Sequence, residues 1–566
     1  MKNRYPNIIV YKAFYNFIIC YILICVQGFT QQLDKETTKD ISNKARRGFL
    51  SKVETNDATR QIDMYFTVKS KNDMIKFEKY TFDYDLNFVK EDTEELNIEQ
   101  SRTKYKWLPF KGDCYEVTGL TAEADMLGNA TFKKKNVKSC YDWLVLGYYK
   151  TVKILEKVKP KSEDGKKMTF KAAYDNEESG EILALVQPKP ASYKDYMKAM
   201  TQYAILRVNQ DVDIVSNEKL ELEKLHSHIF TGKIDNAEGQ SDWIIVFAPM
   251  KAQGMKDILA PNPAEYTYVR VGLDGKIKDK IPFVVKGGTW RINGVYEVNG
   301  QVVLYGPCMA KDVEDYFSMS TYNKVADEKT KFKDFMMVGF KEGKSSFVGI
   351  SSLADFEIKT KKPANASKSS VYDGKRVIIG GLSFASNGDM YIVAQDYKNV
   401  SLDVSRPNFV YEDMYTFQFD PMGVLKNAYS IEDNVKRQAV RGGGPEDARH
   451  WTAKMSVIEA SDKKSMFLAM VSPHHTDQLL ESYEWHADGS STTTYSFIPR
   501  FQLRGAKIDV ATGNISDVYT YGGNEYFLFE KFPLIYIEGG TKVVALGENK
   551  KGKIIWLGKL DPVNVK

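Results

Sequence analysis

The feature that most constrains the fold is a repeated pattern of two β-rich runs joined by a tight polar turn. It occurs about eight times along the chain, most clearly at 266–276 and 415–425. In one form of the repeat the turn contains Asn-Gly or Gly-Gly, as at Asn299-Gly300 and Gly539-Gly540. These dipeptides supply the positive φ angles that two-residue hairpin turns require. The pattern therefore predicts consecutive β-hairpins along the chain.

A second form of the turn recurs at a nearly regular spacing. Its positions are separated by roughly 50 to 90 residues, mostly in the sixties, and a fixed period of hairpins is typical of a β-propeller. We therefore predict an all-β propeller in which each period forms one four-stranded blade that packs face to face with its neighbours. Eight blades fit the count best. Seven blades with one large insertion is the alternative, because the unit between Trp107 and Lys161 has a weak pattern.

The two ends of the chain are predicted to complete one blade together. The last unit stops at 560–566, where its outermost strand should begin, and the segment 47–53 could supply that strand. Pairing of an N-terminal with a C-terminal strand would close the ring and remove exposed sheet edges. No Pro/Gly/Ser-rich spacer divides the chain, so residues 29–566 are predicted to form a single domain. A β-sandwich or two smaller β domains would not explain the even spacing.

Residues 1–28 have the pattern of a secretory signal peptide. Lys2, Arg4 and Lys12 form a basic start, and 13–26 form an apolar core before a cleavage site near Gly28. An uncleaved membrane anchor is the alternative, but the apolar run is short for a span and Asn16 interrupts it. Cleavage leaves no transmembrane span, and the protein is predicted to be periplasmic, associated with the outer membrane, or extracellular.

Charge and cysteine content limit the classes of partner and scaffold. Without the three basic residues of the leader, 76 Lys and Arg stand against 74 Asp and Glu, a net charge near +2. This balance gives no electrostatic reason to expect nucleic acid as a partner. In an oxidising compartment Cys114 and Cys140 could form a disulfide and leave Cys308 as a buried thiol. Three unpaired buried thiols are the alternative.

The composition also resembles that of a group of exported proteins. Lysine far outnumbers arginine, and Asn, Tyr and Phe are abundant. Together with the leader, this style resembles the secreted β-propeller proteins of the Bacteroidota. The resemblance implies an exported propeller and points to no specific family.

The glycine-rich segment 441–451 is the main candidate binding site. Its candidate residues are three glycines, one cation and two ring side chains: Gly442, Gly443, Gly444, Arg449, His450 and Trp451. The glycines expose backbone N–H groups that could form an anion-binding nest, and the arginine could pair with a carboxylate or phosphate. The tryptophan could stack on a sugar or a peptide side chain. In a propeller this segment would connect two blades at the face where ligands usually bind, although a flexible connection without a binding role is the alternative.

A histidine-rich segment at 472–486 is a candidate metal site. It contains His474, His475 and His486 beside several carboxylates, and this ligand chemistry suits zinc or a similar ion. The spacing matches no established ligand pattern, and a loop that is His-rich by chance is the alternative. We predict that the segment is a long loop between two strands of one unit. No cofactor is predicted, because the glycine pattern lacks the strand-to-helix setting of nucleotide-binding motifs.

These features favour a non-catalytic binding or scaffold module of the cell envelope over an enzyme. No Gly-x-Ser-x-Gly motif occurs, and the sequence identifies no facing pair of carboxylates. The predicted partner is an envelope protein, such as a component of an outer-membrane transport or secretion assembly. The alternative is a carbohydrate-binding or carbohydrate-active propeller, because 13% of the residues are aromatic.

Overall fold

A computed structural model describes most of the chain. The described residues are 30–31, 33–71, 74–97, 115–142, 147–176, 179–235, 241–251, 257–285, 289–308, 316–319, 322, 333–367, 370–374, 377–400, 408–433, 440–441, 454–485, 491–522 and 525–565. Most of these residues lie in antiparallel β-sheets, which are numbered sheet 1 to sheet 8 below. Before the first sheet come two short strands and a short helix: β1 (Thr30–Gln31), β2 (Lys35–Asp40) and α1 (Asn43–Arg47).

Sheets 1 to 3 follow one another along the chain, and each strand pairs with the next one in sequence. Sheet 1 contains β3 (Phe49–Asn56), β4 (Gln61–Lys71), β5 (Met74–Asp83) and β6 (Phe88–Asn97). Sheet 2 contains β7 (Tyr115–Ala124), β8 (Ala130–Asp142) and β9 (Gly147–Val158). Sheet 3 contains β10 (Met168–Asn176), β11 (Glu181–Pro188), β12 (Gln202–Val208) and β13 (Ile214–Glu221), with helix α2 (Tyr193–Ala199) between β11 and β12.

Sheets 4 to 6 repeat the same four-stranded order. Sheet 4 contains β14 (His226–Asp235), β15 (Ser241–Pro249), β16 (Glu265–Gly272) and β17 (Ile277–Val284), with a 3₁₀ turn at Asp257–Leu259. Sheet 5 contains β18 (Gly294–Val298), β19 (Gln301–Cys308), β20 (Asp334–Lys341) and β21 (Lys344–Ser352). Helix α3 (Leu353–Lys359) and β22 (Thr360–Lys361) lead to sheet 6, which contains β23 (Val377–Phe384), β24 (Met390–Asn399), β25 (Asn408–Phe419) and β26 (Leu425–Ile431).

The last two sheets are hydrogen-bonded to each other as one ten-stranded sheet. After β27 (Val440–Arg441), sheet 7 contains β28 (Lys454–Glu459), β29 (Ser465–Trp485), β30 (Ser491–Asp509) and β31 (Tyr519–Tyr521). The short strand β32 (Tyr526–Leu528) joins β30 to sheet 8, which contains β33 (Leu534–Ile537), β34 (Lys542–Asn549) and β35 (Ile554–Leu560) before a final 3₁₀ turn at Pro562–Asn564. The described residues contain no helix long and apolar enough to cross a membrane.

Apolar cores join each sheet to its neighbour in the chain. The second strands are buried on both faces because a sheet lies on each side, and the run 242–249 of β15 is buried throughout. Shared cores connect seven pairs of sheets: 2 with 3, 3 with 4, 4 with 5, 5 with 6, 6 with 7, 7 with 8, and 8 with 1. Within the described ranges, sheets 1 and 2 share no such core. This stack of antiparallel sheets is consistent with the blades of a propeller.

In every sheet except sheet 2, one end carries tight turns, and we call it the turn edge. It holds the described hairpin turns between the first and second strands and, in sheets with four consecutive strands, between the third and fourth strands. In sheet 2 the tight turn at 125–129 lies beside the loop edge of sheet 3, because the backbone N–H of Phe170, near the start of β10, donates to the Gly128 carbonyl at 3.1 Å. In several turns of the turn edge one Asp or Asn side chain accepts hydrogen bonds from the backbone, as Asp420 Oδ1 does from the N–H groups of Met422 and Val424, both at 2.9 Å. Asn299 and Gly300 have positive φ angles of 50° and 72°, which confirms the hairpin turn predicted there.

The opposite end of the sheets, which we call the loop edge, carries the other connections. Antiparallel order places there both the link from the second to the third strand and the link from one sheet to the next. These connections differ from sheet to sheet, and they include α2, α3 and the long hairpin β29–β30. Helix α2 is thus a short excursion of this edge between two strands of sheet 3.

The strands from the two ends of the described chain pair as predicted, but a different segment supplies the N-terminal strand. β2 pairs antiparallel with β35, from Lys35 opposite Lys559 to Asp40 opposite Ile554. The segment 47–53 does not complete the last sheet, because it enters β3, the first strand of sheet 1. Sheet 1 packs against sheet 8 through the core that contains Met64, Tyr80 and Leu546.

Candidate functional site

The loop edge is the candidate functional surface, because its connections are long and differ from one another. The longest connections between described strands are 309–333, 353–376 and 432–453. Several described turns at the opposite edge repeat one local geometry. Binding residues in proteins commonly lie on varied loops that a rigid scaffold holds in place.

The described residues on either side of the glycine-rich candidate site lie at this edge. β27 ends at Arg441, which pairs with Asn408 of β25, and the next described residue is Lys454 at the start of β28. The six predicted binding residues, Gly442, Gly443, Gly444, Arg449, His450 and Trp451, lie outside the described residues. The segment connects sheet 6 to sheet 7, as expected for a link between blades. Its role in binding stays a prediction.

The histidine-rich segment is not the loop that the sequence suggested. It forms β29, which pairs with β30 from Ser465 opposite Asp509 to Trp485 opposite Ser491. His474 is exposed at a bulge between Pro473 and His475, and His475 pairs through its backbone with Arg500. His486 lies outside the described residues. Within the described ranges, no group of three His, Cys, Asp or Glu residues could hold a metal ion, and the metal hypothesis stays untested.

The paired ends of β29 and β30 form a projecting arm at the loop edge. Beyond Ser472 and Phe501, β29 and β30 pair with each other and with no other described strand. The arm comprises 475–485 and 491–500, about 35 Å of extended chain. No other described strand pairs with the outer edge of 475–485 or of 491–499.

The structure describes two of the three cysteines named in the disulfide prediction. Cys140 lies in β8, and Cys114 lies outside the described residues, so the disulfide stays a prediction. Cys308 is a buried free thiol at the end of β19. Burial raises the pKa of this thiol, which favours the unreactive protonated form.

A second feature of the loop edge is an acidic cluster at the end of sheet 6. Asp396 lies at a bulge of β24, and Asp413 of β25 accepts hydrogen bonds from the hydroxyl of Ser370 and from the backbone N–H of Asp433. Burial, followed by the charges of Asp396 and Asp413, raises the pKa of the buried Tyr415. The carboxylates therefore converge on one end of the sheet.

Sequence reasoning missed this cluster for a clear reason. The segments that form it, around 373, 396 and 412–413, are separated by roughly 20 residues, and pairing of β24 with β25 brings two of them together. The consecutive acidic residues Glu412 and Asp413 are the one local signal. Such pairs are common on exposed strands, so the sequence alone could not distinguish them.

Comparisons with known proteins give no family. No protein-family model matches the chain, and no curated protein matches it. Among solved structures, the chain is similar to a lignostilbene dioxygenase of Pseudomonas brassicacearum, with 12% identity, coverage of 80% of this chain and 86% of that one, and a TM-score of 0.28. An apocarotenoid oxygenase of Synechocystis matches with 9% identity, coverage of 82% and 96%, and a TM-score of 0.27. A member of the DUF4221 family from Bacteroides vulgatus matches with 11% identity, coverage of 71% and 94%, and a TM-score of 0.21. Similarity at this level supports no argument about fold or function.

Proposed function

We propose that this chain is an exported, non-catalytic binding module of the cell envelope whose loop edge binds a protein partner. In this proposal residues 1–28 are a cleaved signal peptide, and 29–566 form one propeller domain. The eight sheets would be its eight blades. Seven shared cores already join them in order, and the ring would close between sheets 1 and 2.

The observation that carries the proposal is the separation of the two edges. The described turns of the turn edge are short and similar, whereas the loop edge holds the longest connections, which differ in length and structure, together with short turns such as 549–553 in sheet 8. A rigid scaffold with one variable edge suits recognition of a large surface better than binding of one small molecule. The position of the glycine-rich segment between sheets 6 and 7 adds candidate contacts to the same edge.

The projecting arm favours a protein as the partner. No other described strand pairs with its two strands along 475–485 and 491–499. An exposed strand edge can bind an extended peptide by adding a strand, with backbone hydrogen bonds providing affinity.

Site-specific photo-crosslinking in native envelopes tests this proposal. A photoreactive amino acid at Tyr196 of α2, which is 45% exposed, probes the loop edge, and one at His474 probes the base of the arm. Met422, which is 56% exposed in a turn of sheet 6, is the matched control at the turn edge. We expect one dominant protein adduct from the loop-edge positions and none from Met422. Equal labelling from both edges, or no adduct from either loop-edge position, would contradict the proposal.

Glycan binding is the second candidate function, and the acidic cluster of sheet 6 favours it. Carboxylates that are partly exposed, such as Asp396 and Glu412, are suitable acceptors for sugar hydroxyl groups. The adjacent rings of Tyr372 and Tyr415 are buried, so hydrogen bonds rather than stacking would carry recognition. A broad glycan array tests this candidate: a hit that Asp396→Asn abolishes and Asp274→Asn, in a turn of sheet 4, preserves would support it. An array without hits would rule it out.

A further inference from the structure

Two basic side chains lie close together between the first strands of sheets 3 and 4. Lys171 belongs to β10 and His228 to β14, and the two strands contact each other. Each residue lies three or fewer positions from the start of its strand, so both are near the loop edge. These strands are the innermost ones if the sheets form a propeller.

Both residues occur at irregularities of their strands. The pairing of β10 with β11 is interrupted between Phe170 and Ala172, which leaves Lys171 as the bulged residue. The pairing of β14 with β15 is interrupted directly after His228. Bulges redirect side chains and are frequent beside functional sites.

The surroundings place His228 on the face of sheet 4 that is turned toward sheet 3. It stands opposite Phe247, and the two rings pack edge to face with centroids 6.1 Å apart. Phe247 belongs to the core that sheets 3 and 4 share, and Ala172, the neighbour of Lys171, packs against the same core. Burial, and then the nearby charge of Lys171, lower the pKa of His228 to about 4.

Lys171 and the Nε2 atom of His228 have no hydrogen-bond or ion-pair partner within the described part of the chain. His228 Nε2 is buried without a hydrogen bond, and no acidic side chain pairs with Lys171, whose pKa burial lowers. The neighbouring polar groups are already engaged: Tyr203 donates to the His226 carbonyl at 2.8 Å, and Gln187 Nε2 donates to the Ala199 carbonyl at 2.5 Å. A partly buried lysine beside an imidazole with an unsatisfied buried nitrogen is costly without an anion, and an anion between them would remove that cost.

We infer that Lys171 and His228 form a binding site for an oxyanion group, a carboxylate or a phosphate, of a ligand that enters from the loop edge. Lys171 supplies the positive charge, and the bound anion stabilises the protonated form of His228, which donates a hydrogen bond from Nε2. The site is independent of the proposed protein partner, because it is complete within one molecule and requires no residue of the projecting arm.

Anion titrations of the purified protein test the inference. Inorganic phosphate and acetate are each added at constant ionic strength, and binding is measured by calorimetry and by the shift in melting temperature. We expect at least one of the two anions to bind, and their relative affinities distinguish a phosphate site from a carboxylate site. Lys171→Met and His228→Phe should each weaken that binding at least tenfold.

Two further variants make the result decisive. Lys233→Met removes the same charge from β14 at the turn edge, where Lys233 Nζ lies 3.0 Å from Asp235, and should leave anion affinity unchanged. Lys171→Arg keeps the charge and should retain binding within a few-fold. Without added anion, Lys171→Met should melt no lower than the wild type. The inference is overturned if neither anion binds, if Lys171→Met binds like the wild type, or if Lys233→Met weakens binding equally.

Discussion

The turn edge and the loop edge belong to the same strands, yet they are built on different principles. At the turn edge, local interactions recur from sheet to sheet, such as Asn209 Oδ1 accepting from the backbone N–H groups of Asp211 and Asp213 at 3.0 and 2.9 Å. At the loop edge, the described connections differ in length and secondary structure, and the polar groups of the candidate sites come from separate parts of the chain. The difference suggests that the turn edge maintains the fold and leaves the loop edge free to vary.

The largest expected effect is the loss of a buried ion pair at the turn edge. Asp242, whose side chain is 1% exposed, accepts from Arg270 Nε at 2.6 Å and from Lys278 Nζ at 2.7 Å. Asp242→Ala should lower the free energy of unfolding by about 3 kcal/mol, because it leaves a partly buried guanidinium with fewer partners. Urea unfolding measures this change. Glu163→Ala, which removes an exposed pair with Lys219, should cost less than about 1 kcal/mol, and equal costs would contradict the comparison.

A smaller effect should appear at the loop edge as a dependence of stability on pH. The pKa of His228 is about 4 in the folded protein, below the ordinary histidine value of 6.5. Between these values the unfolded chain binds a proton that the folded protein excludes, so stability falls as pH decreases from about 6.5 to 4. His228→Gln should reduce this loss by roughly 2 kcal/mol in urea titrations at several pH values. An unchanged slope would mean that His228 is accessible to protons in the folded state.

The third effect tests the backbone of the turns. Gly300 has a φ of 72° and open space around its Cβ position, so Gly300→Ala should cost about 1 kcal/mol through backbone strain alone. Gly381 in β23 also has open space but an ordinary φ, and Gly381→Ala should be neutral or slightly stabilising. Thermal unfolding of both variants measures the difference. Similar melting temperatures would show that the turn does not require its positive φ.

The smallest expected effect on stability is the removal of the projecting arm. Replacing residues 477–498 with Asn-Gly keeps the pairs that join Pro473 to Phe501 and His475 to Arg500 and shortens the hairpin beyond them. The melting temperature should change little, because no described core includes residues from this part of the arm. If the arm binds the envelope partner, photo-crosslinking from Tyr196 should weaken in the shortened protein. A large drop in stability would show that the arm belongs to the scaffold.

The sequence predicts the turn edge well because its signals are local. Dipeptides such as Asn299-Gly300 and Asn387-Gly388 determine where strands meet, and the all-β architecture follows from their repetition. The structure of the loop edge is harder to predict from the sequence, because extended strands and long loops can have similar composition. Thus the segment 472–486 was expected to be a loop, although it continues β29. The closeness of Lys171 and His228 gives no sequence signal, since it depends on the packing of two sheets.

The pairing of β2 with β35 also affects the order in which the chain can fold. Trp556 Nε1 donates to Glu36 Oε2 at 2.9 Å, across a separation of 520 residues. During synthesis, residues 35–40 emerge early, but their partner strand emerges only after nearly all of the other sheets. Because sheet 1 packs on sheet 8, its apolar face also waits for the last strands. We therefore expect the newly made chain to expose an unpaired strand and an apolar sheet face until synthesis is nearly finished, which is the kind of surface that chaperones bind.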